Sequence, residues 1–259
     1  MKKLITTIVN GIRYEPVAFF HYCLSFLIYP HSVDFHKKTP TELKDDLKKG
    51  KSLIRVGDGE AMLLMGRSIH FQTFDNKLRS DLKQIVTEYN PDSNYVLAVP
   101  HFALTEPFPS LKKRSRNKIW RLFRVLFKRL FNNQSAYADA VMFYHKGVFE
   151  STILPIISDK KVLVLAMDSV QKPLTKYFNK HSIDFSFVPV PISNAFFSVT
   201  YLMEQVKNLA KNKNATVLIA AGPAGKVLAY RVLEHNIQCI DIGHGIEILG
   251  QEEDYSSRL

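Results

Sequence analysis

Cysteine is scarce in this 259-residue sequence, which has only Cys23 and Cys239, far apart and in no Cys-x-x-Cys arrangement. This scarcity excludes a zinc cluster built on cysteine and argues against a disulfide framework, so we expect a reducing, cytoplasmic environment. Long apolar runs are also lacking. The apolar stretch at residues 17–29 has 13 residues, whereas a helix that spans a bilayer needs about 20. The first residues form a poor secretory signal, because polar residues interrupt the apolar run after Lys3.

Acidic residues are outnumbered, since 24 Asp and Glu stand against 35 Lys and Arg, for a formal net charge of +11. Such an excess favours an anionic partner, which could be nucleic acid, a phosphorylated substrate or an anionic membrane surface. Hydrophobic residues make up 46% of the chain and charged residues 23%. These proportions are those of a globular domain, and they exclude disorder or collagen-like repeats for the chain as a whole.

Short apolar runs alternate with helical patterns along most of the chain. A capping box at residues 39–42 predicts a helix that reaches about Lys49, and Asp75 is a plausible N-cap for a helix that reaches about Tyr89. We predict further helices over residues 194–211 and 224–234, and strands over residues 52–56, 95–99, 140–144, 162–166, 185–190, 216–221 and 237–242. This alternation indicates an α/β fold, a Rossmann-like, mostly parallel sheet with helices on both faces. We assign residues 1–37 to an N-terminal helical extension and residues 38–259 to this domain.

Residues 112–131 depart from this rhythm, because cationic residues alternate there with apolar residues spaced three and four apart. As a helix, the stretch would carry one apolar stripe beside a strongly cationic face. Such a helix either packs its stripe on the core with solvated charges, or docks on an anionic membrane surface with Trp120 near the headgroups. Nothing here has the form of a zinc finger or an RNA-recognition signature, and we expect no nucleic-acid partner.

The sharpest local feature is Arg55-Val56-Gly57-Asp58-Gly59-Glu60, at the end of the first predicted strand. Ligands of open α/β sheets bind beyond the carboxyl ends of strands, and Gly57 and Gly59 let the backbone approach a ligand closely. Asp58 and Glu60, two residues apart in a loop, could both reach one Mg²⁺ or Mn²⁺ ion, which proteins often share with substrate phosphates. Arg55 offers a planar fork for phosphate. The alternative is a tight turn with solvated acids.

Two further strand ends have residues suited to an anionic ligand. At residues 220–226 a strand passes into a helix near Gly222 and Pro223, and the amides of a helix N-terminus bind phosphate. A purely structural turn explains this segment equally well. Ser193 and Asn194 follow another predicted strand, where capping of the next helix would account for either residue.

The last predicted strand is followed by Asp241, His244 and Glu247. Carboxylate, imidazole and carboxylate within seven residues could supply metal ligands or a general base. Because a doubly wound sheet gathers its strand ends along one edge, these four segments together predict one active site.

In this order, the same stretches resemble the GT-D-type glycosyltransferases, a bacterial family first catalogued as a domain of unknown function (DUF1792). The resemblance covers about residues 38–250, and the matching residues are Arg55 and residues 57–60, 71–72, 191–196, 222–224, 227–230 and 241–244. It implies a Rossmann-like fold and transfer of a sugar from a nucleotide sugar, typically a UDP-sugar, to a growing glycan.

The resemblance also implies site residues. Asp58 and Glu60 match a D-x-E motif that binds a divalent metal, Mn²⁺ or Mg²⁺, and the diphosphate of the donor. We expect the donor contacts to be Arg55, Gly57, Gly59, Gln72, Ser193, Asn194, Gly222 and Pro223, and the catalytic residues to be Glu247, Asp241 and His244. The basic stretch would hold the enzyme on the inner face of the cytoplasmic membrane, where a lipid-linked acceptor of a cell-surface glycan lies.

The sequence departs from the family pattern at two places. The family usually has a Ser-Arg-Pro-Tyr-like segment in mid-chain, whereas this sequence has Met142-Phe143-Tyr144-His145, without the arginine. The family ends with His-x-Asp-x-Glu, whereas Glu247 lies only three residues beyond His244 and the middle aspartate has no counterpart. These departures leave the donor sugar and the catalytic base open.

Two other functions are alternatives to a glycosyltransferase. An S-adenosylmethionine-dependent methyltransferase would use the glycine loop at residues 56–59, but the third glycine of that loop is missing and no acidic residue follows Val99. A non-enzymatic module that binds membranes or nucleic acid leaves Asp58 and Glu60 unexplained.

Overall fold

The computed structural model describes residues 32–114, 117–209 and 214–249. In these residues eight strands form one sheet, and every pairing in it is parallel. The strands are β1 (His36–Lys37), β2 (Ser52–Arg55), β3 (Tyr95–Val99), β4 (Ala136–Asp139), β5 (Lys161–Ala166), β6 (Phe185–Pro189), β7 (Ala215–Ile219) and β8 (Gln238–Asp241). Their order across the sheet is β1-β4-β3-β2-β8-β7-β5-β6, so β2 and β8 lie side by side at the centre.

Helices connect the strands. They are α1 (Pro40–Lys48), α2 (Asp58–Leu64), α3 (Asn76–Thr87), α4 (His101–Thr105), α5 (Phe108–Lys113), α6 (Asn117–Leu130), α7 (Lys146–Thr152), α8 (Leu154–Ile157), α9 (Gln171–Lys180), α10 (Val199–Leu209), α11 (Gly222–Arg231) and α12 (Gly245–Leu249). Single turns of 3₁₀ helix occur at Met142–Tyr144, Asp168–Val170, Ala195–Ser198 and Val232–His235.

Two apolar cores cover the two faces of the sheet, which confirms the predicted Rossmann-like α/β fold. Successive strand side chains point to opposite faces, so Ile54 packs with α2, α3, α6 and α11, while Leu53 packs with α1, α7, α9 and α12. Both side chains are buried because parallel strands with helices on both faces have no solvated side.

Local signals in the sequence explain where several helices begin. The predicted capping box is present, since Thr39 Oγ1 accepts from the Glu42 amide at 3.2 Å and the Glu42 carboxylate accepts from the Thr39 amide at 2.8 Å. The predicted N-cap Asp75 accepts from the Leu78 amide at 2.9 Å. Each cap gives a partner to an amide that the first helical turn leaves without one.

The strand predicted over residues 140–144 is wrong. The strand is β4, and residues Met142–Tyr144 form a 3₁₀ turn instead. The carboxylate of Asp139, the last residue of β4, accepts from the amides of His101 and Val141 at 3.3 and 3.2 Å. Because these bonds turn the chain out of the sheet, the apolar residues that follow pack as a turn.

The predicted N-terminal helical extension at residues 1–37 lies outside the described residues up to residue 31. Residues 33–37 are in direct contact with the α/β domain. The Val33 amide donates to Leu104 O at 2.8 Å, the ring of Phe35 lies edge-on to those of Phe127 and Tyr137, and β1 pairs with β4. Residues 33–37 therefore contact the domain that is predicted to begin at residue 38.

Within the basic stretch at residues 112–131, helix α6 packs its apolar side on the core. The apolar side of α6, including Phe123 and Phe127, is buried, and Trp120 packs edge-on against Phe102 with 5.0 Å between ring centroids. Arg124, predicted on the cationic face, is 4% exposed and donates to the carbonyls of Ala103 and Glu106. The apolar stripe is therefore not available to a membrane in this conformation. Among the described residues, none of the helices has the length and apolar character needed to cross a bilayer.

Candidate functional site

The candidate site lies where the central strands end. β2 ends at Arg55 and leads through Gly57 into α2, and β8 ends at Asp241. Next to β8, β7 leads into α11 at Gly222. Parallel strands bring these ends to the same edge of the sheet, so the acid pair, the start of α11 and the end of β8 meet there.

Lys226 of α11 joins these segments electrostatically. Its Nζ lies 3.0 Å from Asp241 Oδ2 and 3.5 Å from Glu60 Oε1. All three side chains are less than a tenth exposed. One buried ammonium therefore pairs with two carboxylates from different elements.

The same two carboxylates also hold backbone amides at chain turns. Glu60 Oε2 accepts from the Gly57 amide at 2.8 Å, which closes the first turn of α2. Asp241 accepts from the Gly243 amide at 3.0 Å and from the Arg55 amide at 3.3 Å. Buried charges are tolerated when they are paired and hydrogen-bonded in this way.

The ionisation of the cluster follows from these contacts. Burial alone would raise the pKa of Asp241, but Lys226 and then Arg55 outweigh it, so that pKa lies below its usual 3.8. Burial alone would lower the pKa of Lys226, but Asp241 and Glu60 raise it above its usual 10.5. The ion pairs of Asp241 and Lys226 are therefore charged over the whole physiological pH range.

Arg55, predicted to bind phosphate, is engaged by the protein itself. Its Nη1 donates to Ala140 O at 2.6 Å, and its Nε lies 3.5 Å from Asp241 Oδ1. Gly243, with φ +44°, lies directly over the guanidinium, since a Cβ there would fall 1.4 Å from Arg55 Nη2. Only glycine allows this close approach.

A polar pair lies at the exposed rim of the site. His244 Nδ1 lies 2.9 Å from Glu247 Oε1, and the His244 side chain is 66% exposed while that of Glu247 is 28% exposed. This pair differs from Asp241, which is 1% exposed. Of the three predicted catalytic residues, the structure therefore places only His244 and Glu247 where a substrate can reach them.

Tyr144 is a residue of the site that the sequence analysis did not assign. It follows β4 and is half-buried. Burial raises the pKa of its hydroxyl above the usual 10.0, Arg55 and Lys226 oppose this rise, and Asp58 and Glu247 add to it. The hydroxyl therefore stays protonated near neutral pH, and it can donate a hydrogen bond.

Among the predicted donor residues, Gln72 lies in the segment between α2 and α3, which we call the α2–α3 loop (residues 65–75), and Ser193 and Asn194 lie in the segment after β6. Gln72 is buried, and its side chain accepts from the Phe196 amide at 3.2 Å. Asn194 has the left-handed φ of 53° and accepts from the Thr73 amide at 2.8 Å, so it does not cap the next helix as predicted. Ser193 is exposed next to it.

Asp58 and Glu60 lie in the first turn of α2, not in a loop as predicted. In the described part of the chain no cluster of three or more His, Cys, Asp or Glu side chains is placed to hold a metal. The two carboxylates fit a different arrangement, in which Mg²⁺ or Mn²⁺ takes one or two protein carboxylates and the phosphates of a substrate supply other ligands. Asp58 is the more accessible of the two, since Glu60 is 7% exposed and its oxygens lie against the Gly57 amide and Lys226, so a cation that binds together with a diphosphate would meet Asp58 first.

The buried cluster generates a prediction about stability. Replacing Lys226 by Met leaves Glu60 and Asp241 buried without their cation, so we expect unfolding to become easier by about 3–5 kcal/mol near neutral pH. The pKa of Asp241 is lower in the folded protein than its usual 3.8. Its ion pair therefore stabilises the fold at pH values above 3.8, and this stabilisation is lost as the pH falls through the lowered pKa. The penalty of Lys226→Met should therefore shrink as the pH falls below 3.8, as measured by urea unfolding.

Lys172→Met is the matched control, because Lys172 is exposed on α9. Its effect should stay within about 0.5 kcal/mol. A penalty for Lys226→Met as small as that of the control, or one that does not change with pH, would contradict the assignment.

Comparison with known families and proteins shows which family the chain resembles. The family model described as "Glycosyltransferase GT-D fold" matches residues 53–250. The chain is 23% identical over 212 residues to "Probable glycosyl transferase Gly" of Streptococcus gordonii, and 22% identical over 208 residues to "Glycosyltransferase GlyD" of Streptococcus pneumoniae serotype 4. Each match covers 76% of this chain, which spans 30% and 25% of the length of these two relatives.

Solved structures show the same fold. "A New Glycosyltransferase (DUF1792) from Streptococcus sanguinis" superimposes with a TM-score of 0.69 at 21% identity, covering 82% of each chain. The structure titled "The highly conserved domain of unknown function 1792 has a distinct glycosyltransferase fold" gives a TM-score of 0.67 at 18% identity, covering 86% of this chain and 80% of that chain. With a family match over three quarters of its length, the chain belongs to the GT-D-fold glycosyltransferase family.

Proposed function

We propose that this chain transfers a sugar from a nucleotide-sugar donor, of the UDP-sugar class, to a hydroxyl group of a growing cell-surface glycan in a metal-dependent reaction. The observation that carries the proposal is the contact between α2 and α11 through Glu60 and Lys226, which places the acid pair beside the start of α11. Family membership favours this reaction over a methyltransferase or a non-enzymatic binding module.

The donor diphosphate would lie between these two segments. The amides at the N-terminus of α11, a helix of ten residues, suit its negative charge. Asp58 and Glu60 would hold Mn²⁺ or Mg²⁺, which, when bound, neutralises charge on the departing diphosphate. Lys226 keeps Glu60 in place, and Arg55 and Asp241 keep the neighbouring turns in place, so we assign these three residues to positioning.

The acceptor hydroxyl needs a base to take its proton. Glu247 is the carboxylate at the rim of the site, and its hydrogen bond with His244 at 2.9 Å fixes its direction. Asp241 is a poor base, because its pKa is lowered by Lys226 and Arg55 against the effect of burial and its oxygens accept from backbone amides. We therefore assign proton transfer to Glu247, with His244 as the residue that orients it.

The donor site is tested by calorimetric titration of UDP with and without Mn²⁺. We expect binding that requires Mn²⁺ and that Asp58→Ala abolishes, because this change removes a carboxylate from the proposed cation site. Asp92→Ala is the matched control, since Asp92 is exposed in the loop before β3, at the opposite edge of the sheet. Equal binding by the two variants would exclude Asp58 from the donor site.

The base is tested by release of UDP from a UDP-sugar with water as the acceptor. Glu247→Gln should lower turnover by about 10²–10⁴-fold, the usual contribution of a general base. The affinity for UDP should change by less than about twofold, since the base does not act on donor binding. Glu234→Gln, at a side chain that is 71% exposed, is the control. Wild-type turnover in Glu247→Gln would move the role of base to another group.

Contact with an anionic membrane surface is the remaining part of the proposal. With the apolar stripe in the core, it would depend on exposed cations of α6, Lys118, Lys128 and Arg129. Each Lys or Arg near such a surface contributes about 1 kcal/mol, so replacing all three by Gln should weaken binding to phosphatidylglycerol vesicles about a hundredfold. The control replaces three exposed lysines of α9 by Gln, at Lys172, Lys176 and Lys180. If sedimentation shows the same loss for both triple variants, α6 has no special role.

A further inference from the structure

The described residues expose few large apolar side chains. They are Phe71, Ile192, Phe197 and Tyr201. Phe71 differs from the others because its ring lies against the turn that begins α11. A Cβ on Gly222, at φ +53°, would fall 2.7 Å from Phe71 Cε2, so the ring takes the space that any other residue would fill.

The backbone on both sides of the Phe71 ring is held by hydrogen bonds. The Phe71 carbonyl accepts from the Asn194 amide at 2.8 Å, and the next residue, Gln72, forms a short antiparallel bridge with Ile69. The Thr73 amide donates to the Asn194 side chain at 2.8 Å. The α2–α3 loop is therefore fixed to the segment after β6, while 39% of Phe71 stays exposed to solvent.

The α2–α3 loop also contacts the first turn of α2, which contains Asp58 and Glu60. A Cβ on Gly59 would lie 3.3 Å from Ile69 Cδ1. Two residues further on, Phe71 touches Gly222. The loop thus extends from the turn that carries Asp58 and Glu60 to the first turn of α11, the two segments between which the diphosphate is proposed to bind.

We propose that the exposed face of the Phe71 ring is the platform on which the base of the nucleotide donor stacks. This inference rests on the proposed function, and it extends that function to a residue with no role so far. A ring that meets Gly222 at its Cε2 edge, on a backbone fixed by hydrogen bonds, loses little freedom when a second flat ring covers its exposed face. Stacking of this kind accepts any base, so Phe71 would add affinity rather than select uracil.

The experiment measures binding of UDP and of inorganic pyrophosphate, each with Mn²⁺, by calorimetry. Phe71→Ala should weaken UDP binding by about tenfold or more, because the base loses its stacking partner. It should leave pyrophosphate binding within about twofold, because pyrophosphate has no base. Phe71→Tyr keeps an aromatic face and should restore UDP binding, whereas Phe71→Leu fills the same space without a π-face and should not.

Tyr201→Ala is the matched control, as an exposed aromatic side chain on α10 that should not affect either ligand. Two results overturn the inference alone, namely wild-type UDP affinity in Phe71→Ala, or equal losses of UDP and pyrophosphate, which would mark a structural role. If the unchanged protein binds no UDP while thermal melting shows it folded, the proposed function fails and this inference fails with it.

Discussion

The ammonium group of Lys226 between Glu60 and Asp241 is the interaction on which the site depends. Burying charges is unfavourable unless each has a partner, so this cation and its two carboxylates must be present together. Each carboxylate also binds a backbone amide at a turn. The start of α2, the body of α11 and the end of β8 are consequently fixed relative to one another by one buried network.

This network separates two sets of residues in the site. Lys226 and Asp241 are buried, Arg55 is half-buried, and all three contact other protein groups, so we assign them to shaping the turns. Phe71 and the pair of His244 and Glu247 remain at the surface of the same edge of the sheet. The charged residues that stand out in the sequence are thus divided by burial into those that hold the site and those that can touch a ligand.

Patterns that act locally were readable from the sequence, and contacts between distant residues were not. The capping box at Thr39 and the apolar strands other than the one predicted over residues 140–144 needed only neighbouring residues, and they were predicted correctly. Arg124 was misplaced on a solvated face, because its partners, Ala103 O and Glu106 O, become visible only when α4 and α6 pack. The same holds for Lys226, whose two carboxylates lie more than 100 residues before it and 15 after it in the chain.

The net charge of the whole chain acts on an anionic ligand over a long distance, whereas the buried network acts only on the groups that it contacts. Arg55 and Lys226 balance Glu60 and Asp241, so this network attracts no anion over a distance. The formal net charge of +11 therefore arises from other side chains, and it favours the approach of an anionic donor or surface. Recognition of the donor must then depend on short-range contacts with side chains at the rim of the site. The buried network, which has no net charge, keeps these side chains in position.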